Sequence, residues 1–455
     1  MSPSSDIQTN RDEACRLARR TSEDFSDTYG DSALYSIAPF ESDEVQLGPR
    51  AVGSGAFASV YPIRGFNLRS DRSKNFLGVS IGSNYTGEQM KQREVVAISV
   101  DNGAKYVMKS LKDKLEDSDE KNLFLDSAQD IVTEAEMLAA FSHPTIIKLH
   151  GIIASRHDSF AEGPSAFFII LERLESTLDV KIEEWKKQHS FNPSRSITSL
   201  RSSLSSSMIL DKVKVEKSIS SEGGSLDSRL RMATSLADVM KYLHSKDVIF
   251  HDLKPGNIGL DKRGNIKLFD FGLAKFMPKD GDSYRDVYKM VWAGTPRYSA
   301  SEIVFHKSYN LKADVYSFSV VLWEMMGLKQ PFPKCKTRKE FEQALPKVEK
   351  LLVIDRRWPL PIQDIIKSGL CQDLFARPTM KEIYNTLDNY VTNGVEISSA
   401  DENTRGPRSA RRQHRSSFAF PGANRSMRKR ESTLRSSPIN RSEDILDDMI
   451  EEVVI

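Results

Sequence analysis

Three cysteines in 455 residues, Cys15, Cys335 and Cys371, are too few and too scattered for a disulfide framework, and none stands at metal-ligand spacing from a second Cys or a His. Thiols this sparse fit a reducing compartment and leave no disulfide partner. Long apolar runs are missing as well: the best, 319–327, falls far short of the roughly 20 residues that a membrane span needs. The first 20 residues lack the apolar core of a secretory leader. Charge of one sign is scarce, since 65 Lys+Arg against 63 Asp+Glu leave a formal +2. That balance argues against a dedicated nucleic-acid or membrane-surface binder. The expectation is a soluble cytoplasmic protein, with the nucleus as a second location.

Composition divides the chain. Residues 1–44 are rich in Ser, Asp, Glu and Thr with little apolar periodicity, so they bury too little to offset chain entropy and a disordered arm is expected. Polar stretches at about 67–93 and 194–228, the second Ser-rich, read as surface insertions. Residues 395–455 form a tail, expected to be disordered up to its last residues. From Arg405 to Arg441 it holds 11 Lys+Arg and the single acid Glu431, a local charge of +10 that offers a surface to an anionic partner or an import receptor. Its closing EDILDDMIEEVVI repeats apolar residues at three- and four-residue steps, which predicts a short acidic amphipathic helix. The remainder, 45–394 less its insertions, has the length of one large domain.

The first part of that domain carries strand signals. Residues 45–52 and 56–63 flank a Gly-rich turn, 94–100 and 105–110 straddle the hairpin signature Asp101-Asn102-Gly103, and 146–153 and 167–172 follow. Helical periodicity appears at 131–141, and the second half is mainly helical. An α+β fold is expected, a small antiparallel sheet with one helix and then a helical part.

In the stretch Val52-Gly53-Ser54-Gly55-Ala56-Phe57-Ala58-Ser59-Val60, glycines stand where a strand turns back, so backbone N–H groups can approach phosphate oxygens without interference from Cβ. Alone this is an ordinary turn. Lys109 then lies on a predicted strand and Glu134 on the next predicted helix. The run Phe250-His251-Asp252-Leu253-Lys254-Pro255-Gly256-Asn257 supplies a carboxylate, a cation two residues on and an amide five residues on. Asp270-Phe271-Gly272 adds a second carboxylate, and Gly294-Thr295-Pro296-Arg297 opens a stretch that ends at Glu302.

With these motifs in this order over about 45–393, the chain resembles the eukaryotic protein kinase family, and Lys254 after Asp252 resembles its Ser/Thr branch. The resemblance implies an N-lobe at 45–172, a C-lobe at 173–394, ATP and Mg²⁺ as cofactors, and transfer of the γ-phosphate to Ser/Thr hydroxyls of protein substrates. By the same likeness Lys109, held by Glu134, would bind the α- and β-phosphates, and Asn257 and Asp270 would hold Mg²⁺. Asp252 would serve as catalytic base, Lys254 would steady the γ-phosphate, and Thr295 would bridge the two. Val52, Gly53, Ser54, Gly55 and Val60 would line the nucleotide site, with Leu171 as gatekeeper and the backbone of Glu172 and Leu174 bonding adenine. Asp314 would cap the loop backbone at Phe250 and His251, and Glu302 would pair with Arg377. The stretch 311–318 and Cys371 are most similar to the tyrosine-kinase-like group. The alternative is a catalytically weak pseudokinase acting as a signalling scaffold, although none of Lys109, Asp252, Asn257 and Asp270 is missing.

Two departures from the family pattern carry expectations. His251 stands where an Arg usually pairs with a phosphorylated loop; a largely neutral imidazole without a bidentate fork should make phosphorylation at Ser283, Tyr284 or Tyr288 dispensable. Val107 replaces the small residue that usually roofs adenine and Gly259 the large one that usually floors it, so the purine is expected to sit lower.

Overall fold

The computed structural model describes residues 5–30, 33–68, 86–99, 105–116, 121–190, 224–278, 281–290 and 294–400. These fall into two units: one takes the residues up to Leu178 with Pro255–Ala274, the other takes Asp179–Lys254 and the residues from Lys275 on.

The first unit is built on a seven-stranded sheet of β1 (Pro39–Phe40), β2 (Val45–Leu47), β3 (Gly53–Ser54), β4 (Ala58–Phe66), β5 (Tyr106–Leu111), β6 (Leu149–Ile153) and β7 (Phe168–Glu172). The order is β1-β6-β7-β5-β4-β2, with β3 folded onto β4. Every pairing is antiparallel except β1 with β6. The central β7 is buried from Phe168 to Leu171, the near-continuous apolar run of a strand covered on both faces. Beside it, β5 pairs Lys109 with Val60 on one side and Ile169 on the other, so a lysine stands mid-sheet. A second, three-stranded sheet joins β8 (Ser176–Thr177), β9 (Ile258–Leu260) and β10 (Ile266–Leu268) in the order β10-β9-β8. The turn between its last two strands is closed by the Asp261 carboxylate, which accepts from the N–H groups of Arg263 and Asn265, and by Gly264 at φ +79.

The first unit also holds three helices, and two of them depart from expectation. Residues 5–29, expected to be disordered, form the helix α1 (Ser5–Tyr29). Ala14, Cys15, Ala18, Ser22 and Phe25 are buried along it, a stripe so poor in large apolar residues that the composition conceals it. The end of the 67–93 insertion and the predicted strand 94–100 form one helix instead, α2 (Gly87–Ile98). The β-branched run Val95-Val96 suggested a strand, yet a capping box at Thr86 and Gln89 starts a helix. Arg93 then ties it down through a buried 2.6 Å ion pair with Glu44. The third helix is α3 (Lys121–Ala140), begun ten residues before its periodicity is legible.

Apart from a two-stranded pairing of Val248–Ile249 with Lys275–Phe276, the second unit is helical: α4 (Leu178–Ser190), α5 (Leu226–His244), α6 (Lys312–Gly327), α7 (Leu360–Gly369) and α8 (Met380–Ala400). Every residue of α6 from Ala313 to Met326 is buried, as befits a helix at the centre of a core. It packs on α7, and α5 packs on α8. Glu302 and Arg377 form the expected fork–fork pair, with Nη1 to Oε1 at 2.5 Å and Nη2 to Oε2 at 2.9 Å. The last six residues of α8 extend into what was expected as tail. The rest of that tail, the predicted hairpin turn and residues 194–223 lie outside the described residues. Among the described residues the three cysteines are free and no helix is long and apolar enough to cross a membrane.

Candidate active site

In the first unit, three charged side chains from three elements meet. Lys109 Nζ on β5 donates to Glu134 Oε2 on α3 at 2.6 Å and to Asp270 Oδ1 at 2.8 Å. Asp270 follows β10 with φ +66, a left-handed conformation that a non-glycine residue holds only where its surroundings impose it. Burial works against the Lys109 ammonium, but Asp270 and Glu134 outweigh it and hold its pKa above the ordinary value. Burial pushes the Glu134 carboxyl up to about 7, against the pull of Lys109. Its second oxygen, Oε1, is buried and has no hydrogen-bond partner among the described residues.

The donor set at Asp270 suits a hard cation. Asn257 immediately precedes β9 and accepts on its backbone oxygen from Phe269 N–H at 3.1 Å, so the hairpin brings Asn257 and Asp270 to one end. One carboxamide and one carboxylate are oxygen donors of the kind that Mg²⁺ and its relatives prefer. Among the described residues no three His, Cys, Asp or Glu gather as an all-protein cage. A cation here would therefore complete its shell with phosphate oxygens and water, as Mg²⁺ commonly does.

The residues assigned to the nucleotide also sit in this unit. Gly53 and Ser54 pair with Val60 and Ser59, Val52 N–H donates to Val60 O at 2.8 Å, and Gly55 N–H donates to Ala58 O at 3.0 Å, a tight turn. Val107 and Leu171 face each other across β5 and β7, both buried. Past β7, Arg173 N–H is bonded to Lys105 O and Glu175 N–H to Leu260 O, each at 2.8 Å. The N–H of Leu174 between them has no partner among the described residues, which leaves a donor available for a ligand.

The purine floor differs from expectation. A Cβ built on Gly259 would lie 2.2 Å from Leu174 Cδ1 and 3.1 Å from its Cγ. The volume that glycine vacates on β9 is taken by the Leu174 side chain, so no lowering of the base follows from Gly259.

In the second unit, Asp252 is gripped from two sides. Its Oδ1 accepts from Thr295 N–H at 2.9 Å and from Thr295 Oγ1 at 2.7 Å, and its Oδ2 lies 2.9 Å from Lys254 Nζ. Lys254 Nζ also donates to Thr295 Oγ1 at 2.9 Å, closing a triangle of carboxylate, ammonium and hydroxyl. Asp314 at the start of α6 holds the loop from beneath, accepting from Phe250 N–H at 2.8 Å and His251 N–H at 3.0 Å. Gly294, at φ +101, stands where a Cβ would lie 2.7 Å from His251 O, so only glycine passes there.

The segment 281–290 is held by side-chain hydroxyls. Ser283 Oγ donates to Asp247 at 2.6 Å, Tyr284 OH meets His244 Nδ1 at 2.8 Å, and His244 Nε2 meets Asp314 at 3.0 Å. Tyr288 is buried and pairs with Tyr309, whose OH meets His251 Nε2 at 2.9 Å. Burial pushes the Tyr284 and Tyr309 phenols well up. Nothing in the sequence marks these contacts.

A family profile described as protein kinase domain matches residues 91–387. A stretch of 168 residues is 38% identical to the cAMP-dependent protein kinase type 3 of Saccharomyces cerevisiae, over 34% of this chain and 39% of that protein. Another is 30% identical to a dual specificity protein kinase of Dictyostelium discoideum, over 39% of this chain and 34% of the relative. A third is 30% identical to a serine/threonine-protein kinase of Saccharomyces cerevisiae, over 38% of this chain and 23% of the relative. The matches thus span well under two thirds of each relative's length.

Proposed function

The chain belongs to the protein kinase family, and from that premise we propose that it is a protein serine/threonine kinase that moves the γ-phosphate of ATP to hydroxyls of protein substrates. The observation that carries this reading is the Asp252–Thr295–Lys254 triangle, a carboxylate oriented by two donors in the manner a hydroxyl acceptor requires. The acceptor oxygen bonds to γ-phosphorus as the bond from phosphorus to the β–γ bridging oxygen breaks; ADP leaves and the hydroxyl proton passes to the Asp252 carboxylate. Lys254 neutralises charge on the transferred group, and Lys109, fixed by Glu134, orients the α- and β-phosphates. Asn257 and Asp270 would hold a divalent cation, which we take to be magnesium. Bound there, it would supply neutralisation of the charge that develops on the phosphates. The unpartnered N–H of Leu174 would bond the base.

The finer placement in the tyrosine-kinase-like group rests on 311–318 and on Cys371, whose carbonyl accepts from Arg377 Nε at 2.8 Å. We place the protein in the cytoplasm, with the basic stretch 405–441 available to an import receptor or another anionic partner. No structural observation favours the scaffold reading. Transfer of labelled phosphate to a generic protein substrate tests the proposal: Asp252→Asn should lower it by about a thousandfold, whereas equal labelling by both proteins would assign the activity to a contaminant and overturn the reading.

A further inference from the structure

We infer that α1 is a positioning element for the transfer site, holding α3 at the place where Glu134 meets Lys109. This rests on the phosphotransfer reading above. Three observations lead to it, all within the first unit.

The burial pattern of α3 demands a second partner. At 3.6 residues per turn, a helix lying on one sheet buries one stripe. On α3 that stripe is Phe124, Ile131 and Leu138, yet Val132 and Glu136 on one flank and Met137 on the other are buried too. Outside the sheet, α1 and the short turn Ala33–Ser36 pack against α3, α1 along the greater length. Ala14 and Ala18, four residues apart on α1, are both fully buried, small enough to let two helices approach closely.

The contacts flank α3 along the chain, five residues before its start and one residue past its end. Before its start, Glu116 receives the Arg11 guanidinium as a fork, Nε to Oε1 at 2.5 Å and Nη2 to Oε2 at 2.9 Å. Just past its end, Phe141 stands edge-on to Tyr29 with ring centroids 6.4 Å apart. Midway, α1 is tied to the turn Arg156–Glu162: Ser22 Oγ meets His157 Nε2 at 2.8 Å, and Arg19 pairs with Asp158. Burial lowers the His157 imidazole to about 4, so this link is a neutral hydrogen bond across physiological pH.

Glu134 is sensitive to where α3 lies. It is buried, its Oε1 has no hydrogen-bond partner among the described residues, and a 2.6 Å bond to Lys109 compensates its charge. A shift of the helix that broke this bond would leave a buried, uncompensated charge. The family profile begins at residue 91, so α1 is an addition to the part of the chain it matches.

The test uses the full chain. Arg11→Ala removes the front anchor without touching a core residue, and kcat/KM for protein phosphorylation should fall by about tenfold, the effect of losing one well-made charged contact. In a Glu134→Gln background the same substitution should cost less than about twofold, because the two act through one link. The exchanged pair Arg11→Glu with Glu116→Arg should restore most of the activity, and amide hydrogen exchange across Lys121–Ala140 should quicken in Arg11→Ala and return in the exchanged pair. Equal losses in both backgrounds, full activity in Arg11→Ala, or unchanged exchange in α3 would overturn the inference. Absence of transfer by the unmodified chain would sink the kinase reading instead, and the exchange measurement would still decide whether α1 steadies α3.

Discussion

Leu174 occupies the space that a side chain at position 259 would need, so the two positions are linked by volume although 85 residues separate them. Truncation to Leu174→Ala opens a void against Gly259, and KM for ATP should rise by roughly tenfold, the worth of a few methylenes in a binding pocket; a fall would show that the leucine obstructs the base. Glu324 tests burial in the second unit. It is buried beneath the Tyr298 hydroxyl, which donates to it at 2.9 Å, and burial raises its carboxyl to about 7 despite that bond. A carboxyl whose folded pKa lies above its unfolded value of about 4.3 binds more protons when folded, so stability drops as pH climbs from about 4 to about 7. Glu324→Gln keeps the acceptor and removes the charge. Its melting temperature should gain on the parent's across that window, by up to a few kcal/mol of stability at pH 8, and parallel pH curves for the two proteins would contradict the assignment.

The segment 281–290 is pinned without phosphate. Ser283, Tyr284 and Tyr309 reach Asp247, His244 and His251, so a phosphoryl group on Ser283 or Tyr284 would have to displace a bond already made. Phosphatase treatment should therefore leave the rate of phosphate transfer unchanged, and Tyr284→Phe should lower stability by about 1 kcal/mol, one lost hydrogen bond. Loss of turnover after the phosphatase would show that some modified residue is required. The contrast with α1 shows what local sequence reveals about elements. The Gly53–Gly55 turn, the Lys109 strand and the Asp252–Asn257 loop are legible because their chemistry depends on residues a few positions apart. The α1 stripe of Ala14, Cys15 and Ala18 is not, since its partner lies over a hundred residues away and small side chains leave little periodicity. The helix over 94–98 was misread for a related reason: its start signal, Thr86 with Gln89, stands upstream of the β-branched residues that suggested a strand.

At the scale of the whole molecule, charge is distributed unevenly. The formal +2 of the chain conceals +10 between Arg405 and Arg441, so the remainder is net acidic. Retention on an immobilised polyanion should disappear when 405–441 is deleted, and in the full chain it should weaken steeply as salt rises from about 50 to 200 mM; retention indifferent to the deletion would place the basic surface elsewhere. The sheet of the first unit bears on how the protein is produced. β1 through β4 precede residue 91, where the family profile begins. A recombinant fragment trimmed to that boundary would lose β4 from β5 and β1 from the end of β6, baring the whole edge of β5 and two residues of β6 with unmatched N–H and C=O groups. Such material should go to inclusion bodies, and expression trials should begin upstream of Ser5.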